Sequence, residues 1–223
     1  MRTRFLAAAG AALALLTGCA SQAATVQGAV TPTETATEQV VIRPVTSTGL
    51  PAPGFVVTDD GTMTLDCGPV PSRVATDDNI VSCSPSSADA VACWKDSAAR
   101  TPGTPIAVLC YRDPWSVHLV RRPIDAGFPD VIAPSRPQPL GLLLDDGDHC
   151  LMRNGGVWND LAVHPGWFGT YSCTGDGAVW TDSADGIDRS WPAWTVRTAP
   201  ISGDGPLDSR RIVTAYFVGT HGT

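Results

Sequence analysis

Seven cysteines, four histidines and two knots of aspartate are the residues in this 223-residue chain with the means to do chemistry. The cysteines are Cys19, Cys67, Cys83, Cys93, Cys110, Cys150 and Cys173, and no two stand as C-x-x-C. The histidines, His118, His149, His164 and His221, are scattered, with no H-E-x-x-H. Zinc sites are built from such close spacings, so none is expected. Aspartates gather in "GDGAVWTDSADGIDRS" (Asp176, Asp182, Asp185, Asp188) and in "DDGDH" (Asp145, Asp146, Asp148). Hard oxygen donors on a glycine-containing loop suit calcium. The order here is not that of an EF-hand loop, however, and no bidentate Glu follows. Asp-Gly pairs form turns unaided, so turns are expected, with no metal and no cofactor.

Nucleophilic catalysis lacks its marks. Neither G-x-S-x-G nor S-x-x-K occurs. His164 followed by Cys173 in "HPGWFGTYSCTG" resembles the His and Cys of wall-crosslinking cysteine transpeptidases in residue type, but their Ser-x-Gly-Cys element is absent. Paired carboxylates could hydrolyse a glycoside if space brought them together. The acids of the folded part are all Asp, because Glu34 and Glu38 fall in a segment expected to be a tether. No catalytic residue is therefore assigned. A hydrolase of wall polymers, working through Asp carboxylates or His164, is the alternative to a non-enzymatic protein.

Binding has a stronger signal. Five of the seven tryptophans, Trp158, Trp167, Trp180, Trp191 and Trp194, lie in one short stretch with Phe168 and Tyr171. Indole faces stack on sugar rings, but they also fill small cores, because each buries a large apolar area. Trp158 and Trp167 lie in the Gly/Asn/Pro-rich "NGGVWNDLAVHPGWFG" and are the candidates for a binding surface.

The elements that must position these groups read as β-strands. "TMTLD", "DAVACW", "PIAVLCY", "SVHLVRR", "LGLLLD", "HCLMR", "GTYSC", "AVWTD" and "AWTVR" are short apolar runs separated by Gly, Pro, Asp and Asn. Such spacing predicts a mainly β domain of antiparallel strands, a sandwich or barrel, over residues 61–223, with one or two short helices at most. "SADAVACW" is one ambiguous segment. "LDSRRIVTAYFVG" is the other, and its β-branched and aromatic content favours strand. Six cysteines form an even set, as disulfides in an exported domain require. Neighbours along a meander favour Cys93–Cys110 and Cys150–Cys173, which leaves Cys67–Cys83. "VACWKD…VLCYRD" and "HCLMRN…YSCTGD" echo one another as Cys-to-Cys hairpins.

The N-terminus explains the seventh cysteine. Arg2 and Arg4 precede an uncharged run from Phe5 to Leu16, which is the pattern of a secretory signal and too short to span a bilayer. At its end, Leu16-Thr17-Gly18-Cys19 resembles the bacterial lipobox. That resemblance implies a signal peptide over 1–18 and a diacylglycerol on Cys19, with the protein held at the outer face of the cytoplasmic membrane. Two acyl chains suffice for stable anchoring. Residues 19–60, rich in Thr, Ala, Val and Pro, are expected to be a disordered tether; Pro44 demotes the one strand-like run, "QVVIRPV".

The formal charge of −7 becomes −9 once Arg2 and Arg4 leave, with 13 basic against 22 acidic side chains. Lys95 is the sole lysine. Nucleic acid demands clustered Lys and Arg, so it is excluded as a partner. The lipobox, the Thr-rich stalk, the arginine bias and "DGIDRSWPAWTVRTA…RRIVTAYFVGT" resemble mycobacterial and related actinobacterial exported lipoproteins of unassigned activity. The expectation is a cell-envelope lipoprotein that binds a wall glycan or an envelope protein.

Overall fold

Short, β-branched, alternating segments give eleven strands in the computed structural model, which describes residues 35–98, 105–154, 164–183 and 186–222. They are β1 (Glu38–Thr46), β2 (Val56–Asp59), β3 (Ala92–Lys95), β4 (Ala107–Tyr111), β5 (His118–Pro123), β6 (Gly141–Leu144), β7 (His149–Met152), β8 (Phe168–Cys173), β9 (Gly177–Thr181), β10 (Thr195–Pro200) and β11 (Asp208–His221). Helical structure among the described residues is confined to 3₁₀ turns at Ser86–Ala88 and Thr174–Asp176. The ambiguous "LDSRRIVTAYFVG" is strand.

Strands β6 to β11 run as an antiparallel meander, and β11 pairs back onto β6, closing a six-stranded barrel. Closure removes the sheet edges that an open meander would expose. The remaining sheet has the order β2-β5-β4-β3. Every residue of β4 is buried, and their alternation explains how. Leu109 and Tyr111 face the large core shared with the barrel, which holds Leu142, Leu144, Tyr171, Val179 and Ile212. Val108 and Cys110 face a second core with Leu65, Val81, Cys93 and Ile124. This sheet is therefore a layer between two cores, as period-2 geometry permits.

Strand β11 joins the two parts. At 14 residues it runs about 45 Å, at ~3.3 Å per residue. Its Arg211 pairs with β10, and from Thr214 onward it pairs with β1 in parallel. On the opposite edge it meets β6 from Ile212 to Tyr216, and then a bridge from Ala75 to Val218. A register shift between Ile212 and Thr214 flips the strand's parity. Ile212 and the odd-numbered Ala215 and Phe217 consequently all reach the same core.

The expected tether over 19–60 is corrected from residue 38 onward; residues 19–34 lie outside the described residues. Residues 38–46 and 56–59 are strands β1 and β2. Pro44 is tolerated because β1 is an edge strand whose register shifts between Ile42 and Val45, so the missing N–H falls outside the ladder. Thr37 ties this segment down: its hydroxyl donates to the Ile212 carbonyl (2.7 Å) and accepts from the Trp194 N–H (2.8 Å).

All three expected disulfides are present: Cys67–Cys83, Cys93–Cys110 and Cys150–Cys173. Cys93 and Cys110 are direct cross-strand partners, as are Cys150 and Cys173. Cys93 exchanges both its backbone bonds with Val81, so Cys93–Cys110 is a non-hydrogen-bonded pair, the position at which strands approach closest. Their Cα atoms lie 4.1 Å apart.

Candidate functional site

A cleft of about 610 Å³ opens where the far end of β11 meets the turn after β1 and the end of β3. Gly219 makes the approach there. A Cβ at that position would lie 2.6 Å from Asp77 Oδ2 and 2.9 Å from both Thr76 Oγ1 and Val41 Cγ1, so any larger residue would force these side chains to shift. The contact is then secured by hydrogen bonds. Thr76 N–H donates to the Val218 carbonyl (2.8 Å), and Thr220 N–H donates to Asp77 Oδ2 (2.7 Å).

Beside Asp77, the loop continues through Asp78 and Asn79. Asp78 Oδ1 accepts from the Ala133 N–H (2.8 Å). Asn79 adopts φ 61° and accepts from the Val131 N–H (3.2 Å), a conformation Asn tolerates better than most residues. Asp77, Asp78 and Asn79 each have a side-chain oxygen held by backbone, and all three line the cleft. The other wall comes from the β1 turn, where Ser47 N–H donates to the His221 carbonyl (2.9 Å) and the Thr46 and Thr48 hydroxyls share a hydrogen bond (2.9 Å). At the base lies Trp94, 4% exposed, whose indole N–H donates to Thr220 Oγ1 (3.1 Å). Phe128, Asp130, Lys95 and Ser97 complete the rim.

With His221 neutral, three carboxylates against one ammonium give the cleft a charge of −2. Hydroxyls, carboxylates and an amide suit a hydroxyl-rich ligand, neutral or cationic. A polyphosphate would be repelled.

The residues singled out in the sequence fall elsewhere. Cys19 and Trp158 lie outside the described residues. Trp167 is half-buried and packs against Ala178, Trp180 and Ala199 on the barrel's outer face, so it fills a small core and is not an open platform. Trp180 is 2% exposed. Among the described tryptophans of this part of the chain, Trp191 is exposed, at 73%. Its neighbour Trp194 lies 4.6 Å below the Arg189 guanidinium. His164 is exposed, with its ring 5.7 Å from that of Trp167, and it takes no part in the cleft. Cys173 is disulfide-bonded and therefore no nucleophile. Asp148 accepts from Thr174 Oγ1 (2.8 Å), and Asp188 from the Ser190 N–H (2.9 Å) and hydroxyl (2.6 Å), which is turn chemistry. The Ser190 bonds hold the Asp188 carboxyl below the usual carboxylate range.

Sequence reasoning passed over the cleft because five separate segments build it. The one local signal is "ATDDN" (Ala75–Asn79), where two acids and an amide occur together without a glycine. No protein-family model matches the chain, and no curated protein or solved structure is similar to it.

Proposed function

We propose that this is a non-enzymatic, lipid-anchored protein of the cell envelope that binds wall glycan in the cleft between β11, β1 and β3. The observation that carries it is the cleft's composition: the carboxylates of Asp77, Asp78 and Asp130, and hydroxyl groups on both walls. Carboxylates accept hydrogen bonds from sugar hydroxyls. Three disulfides are in keeping with an oxidising compartment outside the cytoplasm. The lipobox-like Cys19 supplies the means of attachment.

Titration calorimetry with the β-1,4-linked tetramer of N-acetylglucosamine tests the cleft. Saturable binding is expected, weakened about tenfold by Asp130→Asn. One hydrogen bond to a charged group contributes ~1.5–3 kcal/mol, and tenfold corresponds to ~1.4 kcal/mol. Asp130 is exposed, so the variant should fold as the parent does. An absence of binding, or binding indifferent to both Asp130→Asn and Lys95→Ala, would overturn the assignment. Detergent phase partitioning tests the anchor separately: Cys19→Ala should move the protein to the aqueous phase.

A further inference from the structure

Two opposite charges face the cleft without a partner. Lys95 is the last residue of β3, and Asp130 lies in the segment between β5 and β6. Along β3, Trp94 faces the large core and Cys93 the second one. Period-2 geometry puts Lys95 on the Cys93 side. Phe128 also packs against that second core, so the segment that carries Asp130 runs along the same side. Both charged residues are exposed and both line the cleft. Among the described residues, neither side chain enters an ion pair or a hydrogen bond.

Their backbones are nevertheless fixed. Gly49 lies against the end of β3, where a Cβ would come within 2.6 Å of the Lys95 carbonyl oxygen, and the Ser97 N–H donates to the Gly49 carbonyl (3.0 Å). Next to Asp130, Val131 and Asn79 are bonded twice. The Val131 N–H donates to Asn79 Oδ1 (3.2 Å), and the Asn79 N–H donates to the Val131 carbonyl (3.0 Å). An ammonium and a carboxylate on fixed stems therefore flank a space of about 610 Å³ without closing on one another. Asp77 and Asp78 differ from Asp130 in this respect, since a backbone N–H already engages one oxygen of each.

We infer that the cleft selects a zwitterionic amino sugar, a single sugar unit bearing both an ammonium and a carboxylate: Asp130 receives the ammonium and Lys95 the carboxylate. This rests on the glycan reading of the cleft and narrows it. Electrostatics separates the alternatives. A sugar with a carboxylate alone meets Lys95 but adds a negative charge to a cleft that already carries −2. One with an ammonium alone is attracted by the carboxylates and leaves Lys95 unpaired. A neutral sugar pairs neither group. The zwitterion answers both charges and leaves the net charge of the cleft unchanged. Each exposed pair of this kind contributes up to about fivefold in affinity, most at low ionic strength.

The test is an amide chemical-shift titration of the full-length protein at neutral pH and low salt. The probes are muramic acid (ammonium and carboxylate), glucosamine (ammonium alone) and N-acetylmuramic acid (carboxylate alone), with alanine as a zwitterion that has no sugar. Wild type should bind muramic acid tightest, then glucosamine, then N-acetylmuramic acid, about threefold apart at each step. Lys95→Gln should reverse the first two, because the carboxylate then faces acids alone. Asp130→Asn should weaken muramic acid and glucosamine about threefold each and leave N-acetylmuramic acid within about twofold. The order in wild type needs no substitution, so it decides the matter even where a variant folds poorly. Glucosamine binding as tightly as muramic acid in wild type, or an order indifferent to Lys95→Gln, refutes the zwitterion, and the glycan reading stands if the N-acetylglucosamine tetramer still binds. Alanine binding as tightly as muramic acid would assign the cleft to amino acids and likewise refute the inference. If neither the sugars nor the tetramer bind, the glycan reading fails and takes the zwitterion with it.

Discussion

Removing the guanidinium of Arg121 should destabilise the fold far more than the same deletion at a surface pair. Asp96, just after β3, has a fully buried side chain, with Oδ2 accepting from Arg121 Nε at 2.5 Å and Oδ1 accepting from the Ala98 N–H at 2.8 Å. Arg121 is itself 29% exposed and also bridges to Asp59 (2.9 Å), so it links β2, β5 and the end of β3. Burial by itself would lower the Arg121 pKa, but its hydrogen bonds to Asp96 and Asp59 outweigh this and raise it. Arg121→Met keeps the aliphatic stem and strands the Asp96 carboxylate in the interior. Breaking a buried pair costs ~3–5 kcal/mol. Partial solvent access at Arg121 argues for the lower end, about 3 kcal/mol. In a domain of this size that corresponds to a Tm lowered by roughly 6–12 °C.

Asp96→Asn alone should cost less, about 1–2 kcal/mol, because the orphaned arginine can still reach water. The double variant should recover most of the loss, giving a coupling energy above about 1 kcal/mol in a urea-denaturation cycle. Arg112→Ala is the control: its pair with Asp89 is 50% and 41% exposed, and its loss should register below about 0.5 kcal/mol. If Arg121→Met costs no more than Arg112→Ala, or if the cycle is additive, the buried carboxylate is not held by that bond.

Gly219→Ala should cost about 1–3 kcal/mol through forced overpacking and weaken glycan binding with it, since the new methyl collides with Asp77 and Thr76; calorimetry and thermal melts report both effects. The disulfides close loops of 16, 17 and 23 residues, for which chain entropy gives ~3–3.5 kcal/mol each, and five of the six cysteines are buried. Mass mapping should find no free thiol among them in the native protein, and reductant should act only as the domain is unfolded. Trp180→Ala should cost about 3–5 kcal/mol, whereas Trp191→Ala should cost under about 0.5, a contrast read in the same urea titrations. Acid should release only a late increment of stability from Asp60 and Asp188. Hydrogen bonds from Thr62 and Ser190 hold both carboxyls below their ordinary range, so that stabilisation is present at neutral pH and lost as pH falls through the depressed values.

Local chemistry by itself determined the β class and the place of nine of the eleven strands to within a few residues, and it favoured, among fifteen possible connectivities, the cysteine pairing that the structure shows. Alternation of apolar residues is a property of adjacent positions, and turn residues declare where it stops. Cys93 and Cys110 lie on consecutive strands, so their pairing follows from the meander. Tertiary structure decided what depends on distant partners. "QVVIRPV" reads as tether until β11, about 175 residues away, offers it a parallel edge on which Pro44 falls at a register shift. Trp167 and Trp191 have similar neighbours in sequence, yet one packs on the barrel wall and the other stands in solvent, because burial is set by which strand lies opposite. The cleft belongs to the same class. Asp77, Lys95, Asp130 and His221 are far apart in the chain, and the closeness of Gly219 to residues 76–77 brings one wall of it into being.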